Sequence, residues 1–171
     1  GWEQYGKRMV ESFLKYWPAD VKIHLYCENV STGLKDTRVV EHDIFAACPQ
    51  AKNFVVAHNN DYNNGIRDGV RDFKYDAIKF CYKVFAQCHR IKNSKADTLI
   101  FIDADTVTFA EPPIEKVMDL LPPDNFTAYI GRPNNKKLPF AETGYIMYNL
   151  KHPNTRSFAD VFEDLYTTGK V

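Results

Sequence analysis

Long apolar runs are missing from this chain: none approaches the roughly 18 to 20 residues that a helical membrane span needs. A span of that kind is therefore excluded. The opening stretch, GWEQYGKRMV, has neither the apolar centre of a signal peptide nor an initiator methionine. It reads as the start of a processed chain, a tagged one or a fragment. No charge of one sign dominates, since 22 Lys and Arg face 22 Asp and Glu. That balance argues against nucleic acid as a general partner. Neither G-x-x-x-x-G-K-[ST] nor G-x-G-x-x-G occurs, so the P-loop and the dinucleotide fingerprint are excluded as phosphate devices. Cysteine is sparse and unclustered: Cys27, Cys48, Cys81 and Cys88 form no C-x-x-C pair or zinc-like set. Cys81 and Cys88 share one face of a predicted helix and read as small buried hydrophobes. Such cysteine use predicts a reducing, cytoplasmic compartment.

What remains is a chain of 171 residues, the size of one domain with a substantial core. Residues 5–17 carry Tyr5, Met9, Phe13 and Tyr16 or Trp17 at helical spacing, and Pro18 stops that helix. Residues 21–26 and 37–41 read as strands. Residues 43–59 read as helix interrupted or restarted at Pro49. Residues 59–69, rich in Asn, Asp and Gly, predict a mobile loop. Asp72 is the expected cap of a long helix over 73–92, whose apolar face is Ala77, Phe80, Cys81, Val84, Phe85, Cys88 and Ile91. Residues 98–102 carry no charge and predict a central strand buried on both faces. A short helix bounded by Pro112-Pro113 and Pro122-Pro123 follows, then strands at 126–130 and 145–150 and a terminal helix at 158–166. Helices alternating with strands predict an α/β fold, a three-layer sandwich formed by a single domain over 1–171.

The apolar run 98–102 ends in Asp103-Ala104-Asp105. Open α/β sheets form ligand crevices at the carboxyl ends of their strands. At the strand period of two, both carboxylates emerge on one side with Ala104 opposite. Two like charges so close repel, and each resists desolvation. A hard divalent cation, Mg²⁺ or Mn²⁺, relieves both costs and keeps coordination positions for substrate phosphates. The plainer alternative is a loop start, with one Asp capping a turn and the other solvated.

The preceding helix places Asp72, Asp76, Lys79 and Lys83 on one polar stripe. Lys79 and Lys83 repel there by a few tenths of a kcal/mol, which Asp76 partly offsets. The stripe is either an ordinary solvated face or a cationic wall for phosphates. Arg67, Arg71 and Lys74 add charge beside the predicted loop. A second polar cluster, Glu142-Thr143-Gly144, stands at the entry to the strand at 145–150, after a basic loop at 131–139 that carries Arg132, Lys136 and Lys137. Glu142 could accept hydrogen bonds from sugar hydroxyls or act as a base, or it could be a solvated turn residue. Gly144 would permit close backbone approach.

Taken together, YGKRMVESFLKYWP (5–18), HLYCEN (24–29), DFKYDAIKFCYKVFA (72–86), ADTLIFIDADTVTF (96–109) and ETGYIMYNLKHP (142–153) resemble nucleotide-sugar glycosyltransferases of the GT-A fold. The match covers most of the chain. The resemblance implies a Rossmann-like three-layer α/β/α sandwich with a central mixed sheet. It implies that Asp103 and Asp105 approach a ribose and a Mn²⁺ or Mg²⁺ holding the diphosphate, with Ala104 between them. Asp72, Asp76, Lys79 and Lys83 would border the donor, Cys27 and Glu28 the nucleotide base, and Glu142, Thr143 and Gly144 the transferred sugar and acceptor. UDP is the commonest donor nucleotide in this group. Such a fold normally opens with a strand before the first helix and continues into a segment with a further metal ligand, often His. Here the chain begins almost at the helix and stops at Val171, and His152, beside Pro153, reads as a strand-to-helix junction residue.

The implied partners are a nucleoside diphosphate sugar and a carbohydrate or other hydroxyl acceptor, and the implied catalytic base is Glu142. Three rival readings stand beside this one: a phosphatase or nucleotidyltransferase, a non-catalytic nucleotide- or glycan-binding module of the same fold, and an interaction protein. The first needs a nucleophilic Asp or further acidic ligands, and no convincing set accompanies the pair.

Overall fold

Prolines and short polar side chains set most helix ends in this chain. The structure, a computed structural model, describes residues 1–60, 62–131 and 141–171, including their side chains apart from those of Tyr62 and Glu142. A π-helical turn at Trp2–Gly6 leads into α1 (Lys7–Tyr16). Trp17, preceding Pro18, turns extended at ψ 148° and ends α1. Strand β1 spans Ile23–Cys27 and β2 spans Val39–Asp43. The Asp43 carboxylate then accepts from the amides of Phe45 (2.8 Å) and Ala46 (2.9 Å), capping α2 (Ile44–Ala47). Pro49 starts a new helix, α3 (Pro49–His58), as its position predicts.

The expected loop at 59–69 is partly ordered into a 3₁₀ turn (Tyr62–Asn64) and a small hairpin, β3 (Ile66–Arg67) and β4 (Val70–Arg71), while Asp61 lies outside the described residues. Its turn residues, Asp68 and Gly69, both have positive φ, 50° and 76°. Asp-Gly is a strong signal for such a two-residue turn, and only the brevity of the flanking strands hid it. A further 3₁₀ turn, Phe73–Tyr75, precedes α4 (Ala77–Asn93). Strand β5 (Thr98–Ile102), α5 (Ile114–Met118), β6 (Thr127–Ile130), β7 (Glu142–Asn149) and α6 (Pro153–Thr167) complete the order.

The fold is mixed α/β, with small sheets and flanking helices. The described strands pair as β1–β2, β3–β4 and β5–β7–β6, and both contacts of the last set are antiparallel. Among the described residues β5 therefore stands at a sheet edge, and all its residues are only half-buried. An uncharged five-residue run cannot distinguish that position from a strand covered on both faces.

The chain divides into two compact units, one of Gly1–Leu25, Val30–Glu41 and Lys95–Thr155, the other of Tyr26–Asn29, His42–Ser94 and Arg156–Val171. Met9, Val10, Phe13, Met147 and Tyr148 are buried in the first. In the second, Ile44, Ala51, Phe54, Cys81 and Phe85 form one apolar cluster. Cys88 is also fully buried, as the helical face predicted. Lys92 pairs with Asp160 (2.8 Å) and Glu163, joining α4 to α6. A partly exposed pair of this kind contributes at most about 1 kcal/mol, whereas burying one Phe or Ile contributes about 1.5–3 kcal/mol. Packing therefore dominates the stability of this unit. Among the described residues, no helix is long and apolar enough to cross a membrane.

Candidate functional site

Strand β5 stops at Ile102, but its ladder with β7 continues by one bond. The Asp103 amide donates to the Gly144 carbonyl at 2.9 Å, extending the register that pairs Ile102 with Tyr145. The Thr106 amide then donates to the Asp103 carbonyl at 3.0 Å, closing a turn over Asp103-Ala104-Asp105-Thr106. Strand alternation therefore does not govern the two aspartates, contrary to the sequence expectation. Asp103 is half-buried, and Ala104 and Asp105 are exposed. Two hard oxygen donors on a turn that is open to solvent suit a divalent cation that takes its remaining ligands from water or substrate. Among the described residues, no group of three or more His, Cys, Asp or Glu forms a complete metal cage.

The chain beyond this turn is tied to α1. Buried Ser12 donates to the Met9 carbonyl at 2.8 Å and accepts from the Thr108 amide at 3.0 Å. The Trp17 indole donates to Thr108 Oγ1, also at 3.0 Å. The aspartate turn is thus fixed at one end by β7 and at the other by α1. Nothing local marked Ser12 or Trp17 for this role, because their partner lies far along the chain. An open groove of about 380 Å³ lies beside this tie, lined in part by Arg8, Lys15 and the exposed Phe109.

Glu142-Thr143-Gly144 lies within β7, where the sequence placed it at the strand's entry. Glu142 pairs with Ile130 of β6 across an irregularity at Tyr129/Ile130. Thr143 is exposed and Gly144 half-buried. The Glu142 side chain, and Arg132, Lys136 and Lys137 of the basic loop, lie outside the described residues.

The other candidates belong to the second unit. Cys27 ends β1 half-buried. Beyond it, exposed Glu28 accepts from the Tyr82 hydroxyl on α4 at 3.1 Å. Burial and the adjacent Glu28 carboxylate push the Tyr82 phenol up, so it remains a donor. Asp72 caps only the 3₁₀ turn, through the Lys74 amide at 3.0 Å. The cap of α4 is Asp76, which accepts from the Lys79 amide at 2.9 Å and pairs with Arg71 at 2.5 Å. Asp76 is 2% exposed, so it is no member of a solvated stripe. The backbone turn at Asp76 ends the 3₁₀ segment and sets its carboxylate against the Lys79 amide in the first turn of α4. Lys79 is exposed; Lys83 is half-buried, its ammonium 5.8 Å from the Phe80 ring centre.

A polar cluster in the same unit had no sequence signal. Tyr26 stacks on His42 at 4.7 Å, and its hydroxyl meets His89 Nδ1 at 2.5 Å. Burial, together with the Arg90 guanidinium, lowers the pKa of both histidines. Burial raises that of Tyr26. The neutral Nδ1 therefore accepts from the phenol. Each residue alone looked like an isolated polar aromatic.

No known family profile matches the sequence, and no curated protein matches it. The fold is similar to that in the crystal structure of mouse xyloside xylosyltransferase 1 in its apo form, with a TM-score of 0.55 and 12% identity. The likeness covers 94% of this chain and 64% of that one, so this chain spans less than two thirds of the xylosyltransferase's length. At this identity the likeness is one of fold.

Proposed function

We propose that residues 1–171 work as one GT-A-like nucleotide-sugar-binding domain, a three-layer α/β/α sandwich, and that the chain is a metal-dependent glycosyltransferase. The observation that carries this reading is the 2.9 Å bond from Asp103 to Gly144. It joins the two motif stretches that the resemblance assigns to the diphosphate and to the transferred sugar. The fold likeness to a xylosyltransferase supports it.

The proposed reaction moves a sugar from a nucleoside diphosphate sugar, UDP favoured, to an acceptor hydroxyl. The acceptor oxygen bonds to the anomeric carbon, and the bond from that carbon to the diphosphate oxygen breaks. Asp103 and Asp105 would hold Mn²⁺ or Mg²⁺, which when bound neutralises charge on the leaving diphosphate. Thr143 and Gly144 would line the sugar, and Glu142 would take the acceptor proton if the reaction inverts. By the sequence resemblance, Lys79 or Lys83 would add positive charge for the phosphates, while Cys27 and Glu28 would border the base.

Calorimetric titration of UDP, with and without Mn²⁺, tests the reading on wild type and Asp105→Ala. Metal-dependent heat in the wild type and its loss in the variant are expected. Heats that ignore both the metal and the substitution would sink the proposal. Product formation separates transfer from a binding module without turnover, and proton NMR of the first-formed anomer decides between inversion and retention.

A further inference from the structure

Only one asparagine in the chain is followed by glycine, in the pair Asn64-Gly65. Such a pair is chemically labile where the backbone is free to move, because glycine has no side chain to hinder attack of its amide nitrogen on the asparagine side chain. The fold sets this pair at the junction of the 3₁₀ turn Tyr62–Asn64 with β3. Both ends of the Asn64 amide are held there. Nδ2 donates to the Asn59 carbonyl at 3.0 Å, and Oδ1 accepts from the Ile66 amide at 2.8 Å, closing an Asx turn. Gly65 is buried, and its carbonyl accepts from the Asp72 amide at 2.8 Å. Ring closure requires the Asn64 side chain and the Gly65 backbone to rotate about one another, which these bonds oppose.

What keeps these bonds in place is the docking of the hairpin on α4. Gly65 has φ +76°, and a Cβ there would lie 2.8 Å from Asp76 Cβ. The backbone at Gly65 is therefore too close to the start of α4 to admit one more carbon. From the second strand, Arg71 closes on buried Asp76 at 2.5 Å. Little else holds the ribbon down. It pairs only Ile66 with Arg71 and Arg67 with Val70, and its apolar residues Ile66 and Val70 are exposed. A two-residue ribbon with so little buried apolar surface opens locally at small cost.

We propose that Asn64-Gly65 is a self-modifying site, protected while the hairpin is docked and converted to isoaspartate when it opens, and that conversion prevents the hairpin from docking again. In the open form the Gly65 nitrogen gives up its proton and bonds to Asn64 Cγ. The Cγ–Nδ2 bond breaks, and ammonia leaves with that proton, so a five-membered succinimide remains. Water then opens the ring. Attack at Cγ yields aspartate with the original backbone, whereas attack at the main-chain carbonyl yields isoaspartate, whose backbone runs through Cβ and Cγ and is one methylene longer. The contact of Gly65 with Asp76 has no room for that methylene. With the hairpin released, Arg71 leaves Asp76, the cap of α4. The site is independent of the proposed transfer reaction, because water is the only other reactant.

The test incubates the full chain at mildly alkaline pH, native and in urea, and follows Asn64 by tandem mass spectrometry of the tryptic peptide 53–67. Labelling with isoaspartyl methyltransferase identifies the isoaspartyl product. Conversion in the native chain should be about tenfold or more slower than in urea, because only the locally open fraction reacts. Arg71→Ala should raise the native rate about threefold, as loss of a partly exposed ion pair would, and Arg71→Lys, which keeps the charge, should raise it less. Thermal melting checks that each variant is folded, and the comparison with urea decides without any variant. Hydrogen exchange by NMR reads the consequence. The Ile66 and Asp72 amides should lose protection in the isoaspartyl product and keep it in Asn64→Asp, which retains the Oδ1 acceptor. The proposal is overturned by equal rates in the native chain and in urea, by no conversion at Asn64 in urea, by a native rate that a folded Arg71→Ala variant leaves unchanged, or by protection that survives in the isoaspartyl product.

Discussion

The Asp103 amide donates to the Gly144 carbonyl at 2.9 Å, so the aspartate turn and the Glu142-Thr143-Gly144 segment are held by one rung of the β5–β7 ladder. This rung is made by main chain alone, so it does not depend on the identity of either side chain.

Asp105 is exposed, so Asp105→Ala should shift unfolding stability by no more than about 0.5 kcal/mol. The same substitution should abolish Mn²⁺-dependent UDP heat. Urea unfolding and calorimetry on one sample measure both. A large loss of stability would mark Asp105 as structural.

Asp76 has the opposite profile. Asp76→Ala removes the α4 cap and the partner of Arg71, and a loss of about 2 kcal/mol is expected, at the upper end for a cap. Arg71→Ala should cost about 1 kcal/mol or less, because the Arg71 side chain is 71% exposed and such pairs are screened by solvent. Urea midpoints at constant m-value provide the comparison; equal losses would contradict the assignment of the cap.

The Tyr26–His42–His89 cluster predicts acid sensitivity. Both imidazole pKa values lie below their ordinary 6.5 in the folded protein, through burial and then Arg90. Unfolded imidazoles therefore take up protons first as pH falls, and stability that is complete above about pH 6.5 declines below it. Glu163 opposes the shift at His89, so His42 should carry more of the effect. His42→Gln should flatten the pH 5–7 limb of a thermal melting profile more than His89→Gln.

Thiol labelling should separate the four cysteines. Burial pushes Cys48 up to about 11 and Cys81 and Cys88 up to about 12, where little thiolate exists at neutral pH. Half-buried Cys27, at the end of β1, should be the one that alkylates rapidly at pH 8 in the native chain. Mass spectrometry of tryptic peptides identifies it. Slower labelling in the presence of UDP and Mn²⁺ would support Cys27 beside the nucleotide, whereas unchanged labelling would count against that placement.

Local chemistry was legible in the sequence. Pro18 and Pro49 set helix boundaries, because a missing N–H and a fixed φ act without help from the rest of the chain. The buried face of α4 followed from helical periodicity. Tertiary structure decided what depends on distant partners. It set β5 antiparallel to β7, brought Asp103 to Gly144, and tied Thr108 to Ser12 and Trp17. It moved Asp76 from an expected surface stripe into a buried cap, because Arg71 reached it from a hairpin too short to show a strand period. It also gathered Tyr26, His42 and His89 from three separate elements. Periodicity and propensity report on the residues within a turn or two of each other, whereas strand pairing and burial of polar groups are settled by segments that meet only after the chain has folded.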